Sequence, residues 1–120
     1  MKNKTLIIGA STNPERYSYK AAEKLLSHGH EIYLIGNRSR NVFNREIFQN
    51  TIPFTDVDTV TLYLSAERQA VYYDYILSLK PRRVIFNPGT ENSHFEKILT
   101  DNNIEAERAC TLVLLSTKAY

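Results

Sequence analysis

Short apolar runs alternate along this chain with longer stretches of helical spacing. Thr5 to Ile8 is apolar and β-leaning and stops at Gly9, as suits a strand buried on both faces. The turn-rich run Gly9-Ala-Ser-Thr-Asn-Pro14 follows, then Ala21, Ala22, Leu25 and Leu26 at helical spacing with Gly29 as a stop. Glu31 to Ile35 is a second β-like run, closed by Gly36. Strand, turn, helix and strand in about 30 residues make a βαβ unit.

Asn37 to Thr55 is polar and irregular, with Ile47, Phe48, Ile52 and Phe54 packing locally around Pro53. It reads as a connector with room for one short helix. Asp58 to Leu64 alternates and is rich in Val, Thr and Tyr, a third strand. From Ala66 to Leu79 one helical face collects Val71, Tyr72, Tyr75, Ile76 and Leu79, with Ser65 as N-cap and Pro81 just beyond the end.

Arg83 to Phe86 is a fourth strand, ending in Asn87-Pro88-Gly89. Ser93-His-Phe-Glu96 is a capping-box pattern opening a helix whose Phe95, Ile98 and Leu99 face inward and which Asn102-Asn103 ends. Ile104 to Arg108 is a fifth, weaker strand, and Thr111 to Leu115 is a helical turn or a strand. Alternating strands and helices predict an α/β, doubly wound, Rossmann-like domain over residues 1–120: a parallel five-stranded sheet in the order 3-2-1-4-5. Gly9, Gly36 and Gly89 all follow strands, at the carboxyl edge where open α/β sheets bind ligands.

Composition narrows the class. At 120 residues the chain has room for one core, and 42% hydrophobic against 23% charged residues exclude general disorder. A formal charge of +2 does not point to nucleic acid as a partner. The lone Cys110 makes no internal disulfide, and no Cys/His cluster suggests a metal. The apolar run before Gly9 is too short for a signal peptide, and none approaches the ~20 residues that span a bilayer. The expectation is a cytoplasmic protein without membrane attachment, and the sequons at Asn3 and Asn37 carry no weight.

The first loop is the best chemical candidate. A helix N-terminus presents unpaired N–H groups and a positive partial charge, which favours phosphate. Gly9, Ala10 and Ser11 are small enough for the backbone to approach a diphosphate, and Ser11 adds a hydroxyl donor. Arg16 and Lys20 oppose the helix dipole unless an anion lies between them and it. The loop is not a GxGxxG fingerprint, and Gly36-Asn-Arg-Ser-Arg40 lacks the carboxylate that holds the ribose hydroxyls of NAD. A cationic end to the second strand suits a phosphorylated ribose, as in NADP or coenzyme A. The other reading of both loops is a tight turn with solvated charges.

The pattern Ile7-Ile-Gly-Ala-Ser-Thr-Asn-Pro-Glu-Arg-Tyr-Ser-Tyr19 resembles the opening motif of the CoA-binding-domain proteins, small stand-alone relatives of the CoA-binding domain in the succinyl-CoA synthetase α-subunit. Tyr33-Leu-Ile-Gly-Asn-Arg38, Val84-Ile-Phe-Asn-Pro-Gly-Thr-Glu-Asn92 and Ala109 to Tyr120 match in order. The resemblance implies a Rossmann-type domain that binds coenzyme A or a related phosphorylated adenine nucleotide. The first motif, with Gly9, Ala10, Ser11, Asn13, Arg16, Tyr17 and Ser18, would take the diphosphate. Asn37 and Arg38 would take the adenosine side, and Ser65, Asn87, Pro88 and Gly89 would complete the cleft. Gly36-Asn37 stands where the family usually has a proline, so the adenosine contacts differ in detail.

The resemblance argues for binding rather than catalysis, and no catalytic residue is assigned. Against it stand an NADP-dependent redox or acyl-transfer enzyme using His94, Glu91 or Cys110, and a protein-interaction module with a vestigial pocket. Each residue also has a structural reading: His28 and His30 as surface or capping groups, His94 and Glu91 as helix-start and loop residues, Cys110 as a small buried hydrophobe. Tyr17 and Tyr19 either stack on an adenine or pack across the sheet. A homodimer suits so small an α/β domain.

Overall fold

Along the chain the elements are β1 (Thr5–Ile8), α1 (Tyr17–Ser27), β2 (Ile32–Ile35), β3 (Arg40–Val42), β4 (Arg45–Phe48), β5 (Thr59–Leu62), α2 (Ala66–Gln69), a 3₁₀ turn (Ala70–Tyr72), α3 (Tyr73–Leu79), β6 (Arg83–Phe86), α4 (Ser93–Asp101), β7 (Glu105–Arg108) and α5 (Thr111–Ser116). This computed structural model describes residues 4–120; the sequon at Asn3 lies outside the described residues. The strands form one sheet in the order β3-β4-β2-β1-β5-β6-β7, parallel throughout except for the β3–β4 pair.

Alternation along the strands divides the core in two. Leu6, Ile8, Ile35, Val60, Leu62, Val84 and Phe86 face one side, covered by Ile76 of α3 and by Phe95 and Leu99 of α4. Ile7, Ile32, Leu34 and Ile47 face the other, under Ala22 and Leu25 of α1 and Leu115 of α5. Helices therefore cover both faces, and the β1, β2 and β5 ends open on one edge.

Beneath α5 the second face is polar instead. Thr5, Thr59, Thr61, Arg83, Asn87 and Thr111 are all buried there. Asn87 Nδ2 donates to Thr61 Oγ1 (2.6 Å) and to the Leu62 carbonyl (2.9 Å), while its Oδ1 accepts from the Thr111 N–H (2.9 Å). Thr61 and Thr111 hydroxyls bond each other at 2.8 Å. Arg83 donates to Thr59 Oγ1 and to Glu107, each at 3.1 Å, and its guanidinium lies 4.5 Å from the Tyr120 ring centre. Tyr120 in turn shares a hydrogen bond with Thr5. These partners offset most of the cost of burying polar groups; among these side chains Arg83 Nη2 is the buried atom without a hydrogen-bond partner.

Several sequence expectations need correction. The sheet has seven strands, not five, and its order is not 3-2-1-4-5. The strand near residue 60 pairs with β1 rather than lying outside β2, and β4 fills that outer position. The connector holds no helix; residues 40–48 form the β3–β4 hairpin, turned through Phe43 (φ 52°) and Asn44 (φ 59°). The helix expected from Ala66 to Leu79 is broken by the 3₁₀ turn, and its Ser65 cap makes no side-chain hydrogen bond. The break turns Val71 out of the face assigned to it, leaving it 80% exposed. The capping pair on α4 begins one residue early: Asn92 Oδ1 accepts from the Phe95 N–H, and Glu96 accepts from the Asn92 N–H.

Candidate functional site

Gly9 and Gly36 let the chain close up at the carboxyl edge. Gly9 (φ 98°) packs so tightly against the Tyr63 backbone that a β-carbon would stand 2.7 Å from its carbonyl oxygen. The N–H groups of Gly9 and Ala10 both donate to the Ile35 carbonyl at 2.9 Å, tying the loop to β2. The loop then holds itself: the Asn13 N–H donates to Ser11 Oγ and the Glu15 N–H to Asn13 Oδ1, each at 3.0 Å. Arg16 stands at the N-cap of α1, where it offers no acceptor, and no acidic residue occupies the first turn. The first turn of α1 is therefore open toward whatever lies before it.

What lies before it is a cavity of about 910 Å³. The β1 loop gives it Gly9 to Thr12 and Glu15, and α1 gives Arg16, Tyr17 and Ser18. The end of β2 and the hairpin supply Gly36, Asn37, Arg38, Arg40 and Ile47. Beyond β5 come Tyr63, Leu64 and Arg68, then Val71 and Tyr72 of the 3₁₀ turn.

The arginines divide cleanly. Of the eight in the sequence, Arg45, Arg82, Arg83 and Arg108 each hold a carboxylate. Arg16, Arg38, Arg40 and Arg68 are exposed and form no ion pair among the described residues, and all four line this one cavity. Glu15 is the one carboxylate in its wall. Four guanidinium groups without carboxylate partners, beside an uncapped helix start, favour an anion in this cavity.

Eight of the residues picked from sequence line this cavity: Gly9, Ala10, Ser11, Arg16, Tyr17, Ser18, Asn37 and Arg38. Asn87 and Pro88 line a smaller neighbouring cavity instead, with the Asn87 amide committed to Thr61, Leu62 and Thr111. Asn13, Ser65 and Gly89 line neither; the Gly89 N–H is taken by the Glu91 carboxylate at 3.1 Å. Tyr19 packs on Phe43, ring centres 4.9 Å apart, rather than into the cleft. Sequence reading missed Arg40, Arg68, Tyr63 and Tyr72. Arg40 sits in Gly36-Asn-Arg-Ser-Arg40, whose cationic character was the available signal. Arg68 gave none, because its approach to the cavity depends on where α2 packs.

Burial pushes the Tyr63 hydroxyl up to about 12, against the opposing effect of hydrogen bonds with Thr111 and Thr61. It therefore keeps its proton and stays a neutral hydrogen-bonding group at ordinary pH. Among the described residues no group of three or more His, Cys, Asp or Glu side chains is placed to hold a metal ion. No helix among them is long and apolar enough to cross a membrane.

Residues 3–116 match the CoA binding domain family. The chain belongs to that family. A crystal structure of an uncharacterised protein shares 49% identity with this CoA-binding-domain chain at a TM-score of 0.97, covering 100% of this chain and 99% of that one. A cell-free-expressed protein from Thermus thermophilus has the same fold at 17% identity and a TM-score of 0.83, covering 99% and 91%. A dinucleotide-forming acetyl-coenzyme A synthetase from Ca. Korarchaeum cryptofilum, solved with phosphate and ADP, aligns at 15% identity and a TM-score of 0.69. That alignment covers 87% of this CoA-binding-domain chain and 25% of the synthetase. No curated protein matches the sequence.

Proposed function

We propose that this protein binds coenzyme A or an acyl-CoA in the large cleft and catalyses no reaction of its own. The observation that carries the reading is the partition of arginines: the four without carboxylate partners all line one cavity. A diphosphate bridge with a ribose phosphate brings about four negative charges, the monoester alone up to about two. In this reading the diphosphate lies against Ala10, Ser11 and the first turn of α1, beside Arg16. Arg38 and Arg40, over β2 and the hairpin, meet the ribose phosphate. Ile47, Leu64, Val71 and Tyr72 supply apolar walls for the adenosine. Family membership supports coenzyme A over other nucleotides bearing the same charges. The protein acts in the cytoplasm, where CoA is drawn upon.

The absence of assigned chemistry rests on what surrounds the candidates. Glu91 folds back on the Gly89 N–H, and exposed His94 lies 6.0 Å, centre to centre, from the Tyr73 ring. Neither lines either cavity, and Cys110, which lines the smaller one, has no base or cation among the other residues of that wall.

A thermal-shift panel tests the reading, because a ligand selective for the native state raises the melting temperature. CoA and acetyl-CoA are expected to give the largest shifts, with dephospho-CoA and NAD clearly below. A shift with NADP alone would replace this reading by the redox one. No shift with any nucleotide would leave the interaction module.

A further inference from the structure

A second cavity of about 250 Å³ lies beside the cleft, walled by Tyr17, Tyr63, Asn87, Pro88, Cys110 and Leu112. Tyr17 and Tyr63 line both cavities, so the two are neighbours. Their chemistry is opposite. Four guanidinium groups line the large one; no charged side chain lines the small one. The Asn87 amide is already spent on Thr61, Leu62 and Thr111, and the Tyr63 hydroxyl stays neutral. What remains for an occupant is ring, aliphatic and sulfur surface.

The sheet order gives the pair of cavities a direction. Arg38 and Arg40 lie over β2 and the hairpin, the open turn of α1 follows β1, and Pro88 follows β6 on the other side. A nucleotide with its ribose phosphate at the arginines and its diphosphate at α1 therefore sends the remainder of the molecule toward the small chamber. At about 30 Å³ per water-sized group, 250 Å³ holds roughly eight heavy atoms. That is room for a thioester with an acyl chain of a few carbons.

We propose that this chamber receives the uncharged sulfur end of the bound nucleotide, and that the ligand class is a CoA thioester carrying a short apolar acyl group. The inference rests on the CoA reading of the cleft and adds the acyl class to it. Cys110 forms part of the chamber wall, and as the sole cysteine of the sequence it reports occupancy directly.

The experiment follows N-ethylmaleimide alkylation of the full-length protein by mass spectrometry, alongside thermal shift, with 3′-phospho-ADP, butyryl-CoA and palmitoyl-CoA. The head group and butyryl-CoA are both expected to raise the melting temperature, while butyryl-CoA alone slows Cys110 alkylation, by tenfold or more. Leu112→Trp, which fills the chamber, should weaken butyryl-CoA at least tenfold and leave 3′-phospho-ADP unchanged. Binding of butyryl-CoA with Cys110 alkylated at the unliganded rate would overturn the chamber and leave the cleft standing. Equal protection of Cys110 by 3′-phospho-ADP, or tighter binding of palmitoyl-CoA than of butyryl-CoA, would overturn it as well. Failure of all three ligands to bind would remove the CoA reading and this inference together. The protection assay needs no variant, so a misfolded Leu112→Trp does not blunt it.

Discussion

Gly36 and Ala10 approach so closely at the floor of the cleft that a β-carbon on Gly36 would stand 2.7 Å from the Ala10 carbonyl oxygen and 2.8 Å from Cγ2 of Ile47. The first neighbour is backbone of the phosphate-facing loop, which a new methyl group displaces only by moving the loop. Gly36→Ala is expected to lower stability by about 1–3 kcal/mol, as overpacking does, and to weaken CoA binding as well. Urea denaturation and isothermal titration check the two effects; a variant with native stability and affinity would show that the loop shifts without consequence.

The cleft arginines separate binding from folding. Because Arg38, Arg40 and Arg68 hold no carboxylate, their alanine variants should stay within about ±0.5 kcal/mol of the parent in stability. Each should lose about 1.5–3 kcal/mol of CoA affinity, the range for hydrogen bonds to charged groups. Arg38→Ala should weaken CoA more than dephospho-CoA, and equal losses would remove Arg38 from the ribose phosphate. Raising salt should weaken CoA binding to the parent and less so to the variants.

Asn87 behaves in the opposite way. Its amide joins β6 to β5 and to the start of α5 through three buried hydrogen bonds. Asn87→Ala strands the Leu62 carbonyl and the Thr111 N–H in a buried setting, with an expected loss of about 2–4 kcal/mol. The midpoint of urea unfolding measures it, and a loss under about 0.5 kcal/mol, the size of an ordinary surface change, would contradict the network.

The hairpin is clamped electrostatically. Arg45 of β4 grips Glu31 with two hydrogen bonds, at 3.1 and 3.0 Å, and also donates to the Phe43 carbonyl. The Arg45 hydrogen bond holds the Glu31 carboxyl below its usual value of 4.5, despite partial desolvation. The folded value lies below the unfolded one, so the contribution is complete above about pH 4.5 and fades as pH falls through the folded value. Glu31→Gln should therefore be less stable than the parent at pH 7 and converge with it in strong acid. A stability difference independent of pH would rule out the ionic origin.

The edge hairpin marks where local pattern stopped being informative. β3 is exposed or half-buried throughout, and only Ile47 of β4 is fully buried. Neither strand buries enough to show an alternation, and the turn uses Phe43-Asn44 rather than a glycine. Ile47 becomes a core residue because β4 docks on β2, a long-range contact that no window of neighbouring residues contains. Val71 failed for a related reason. It fits the helical period, but the 3₁₀ turn shifts the phase and points it toward the cleft rim.

The sequence by itself determined the α/β class, the five main strands, the glycines after three of them and the loop that opens α1, because each is written in local spacing and backbone freedom. The family was legible for the same reason, in four ordered motifs. Only the tertiary structure decided the order of the strands, the hairpin that completes the sheet, and the meeting of Arg16, Arg38, Arg40 and Arg68 around one cavity. Those arginines are spread over 53 positions from first to last. Their grouping follows from which strand ends lie side by side, and pairing between distant strands is set by the packed sheet as a whole.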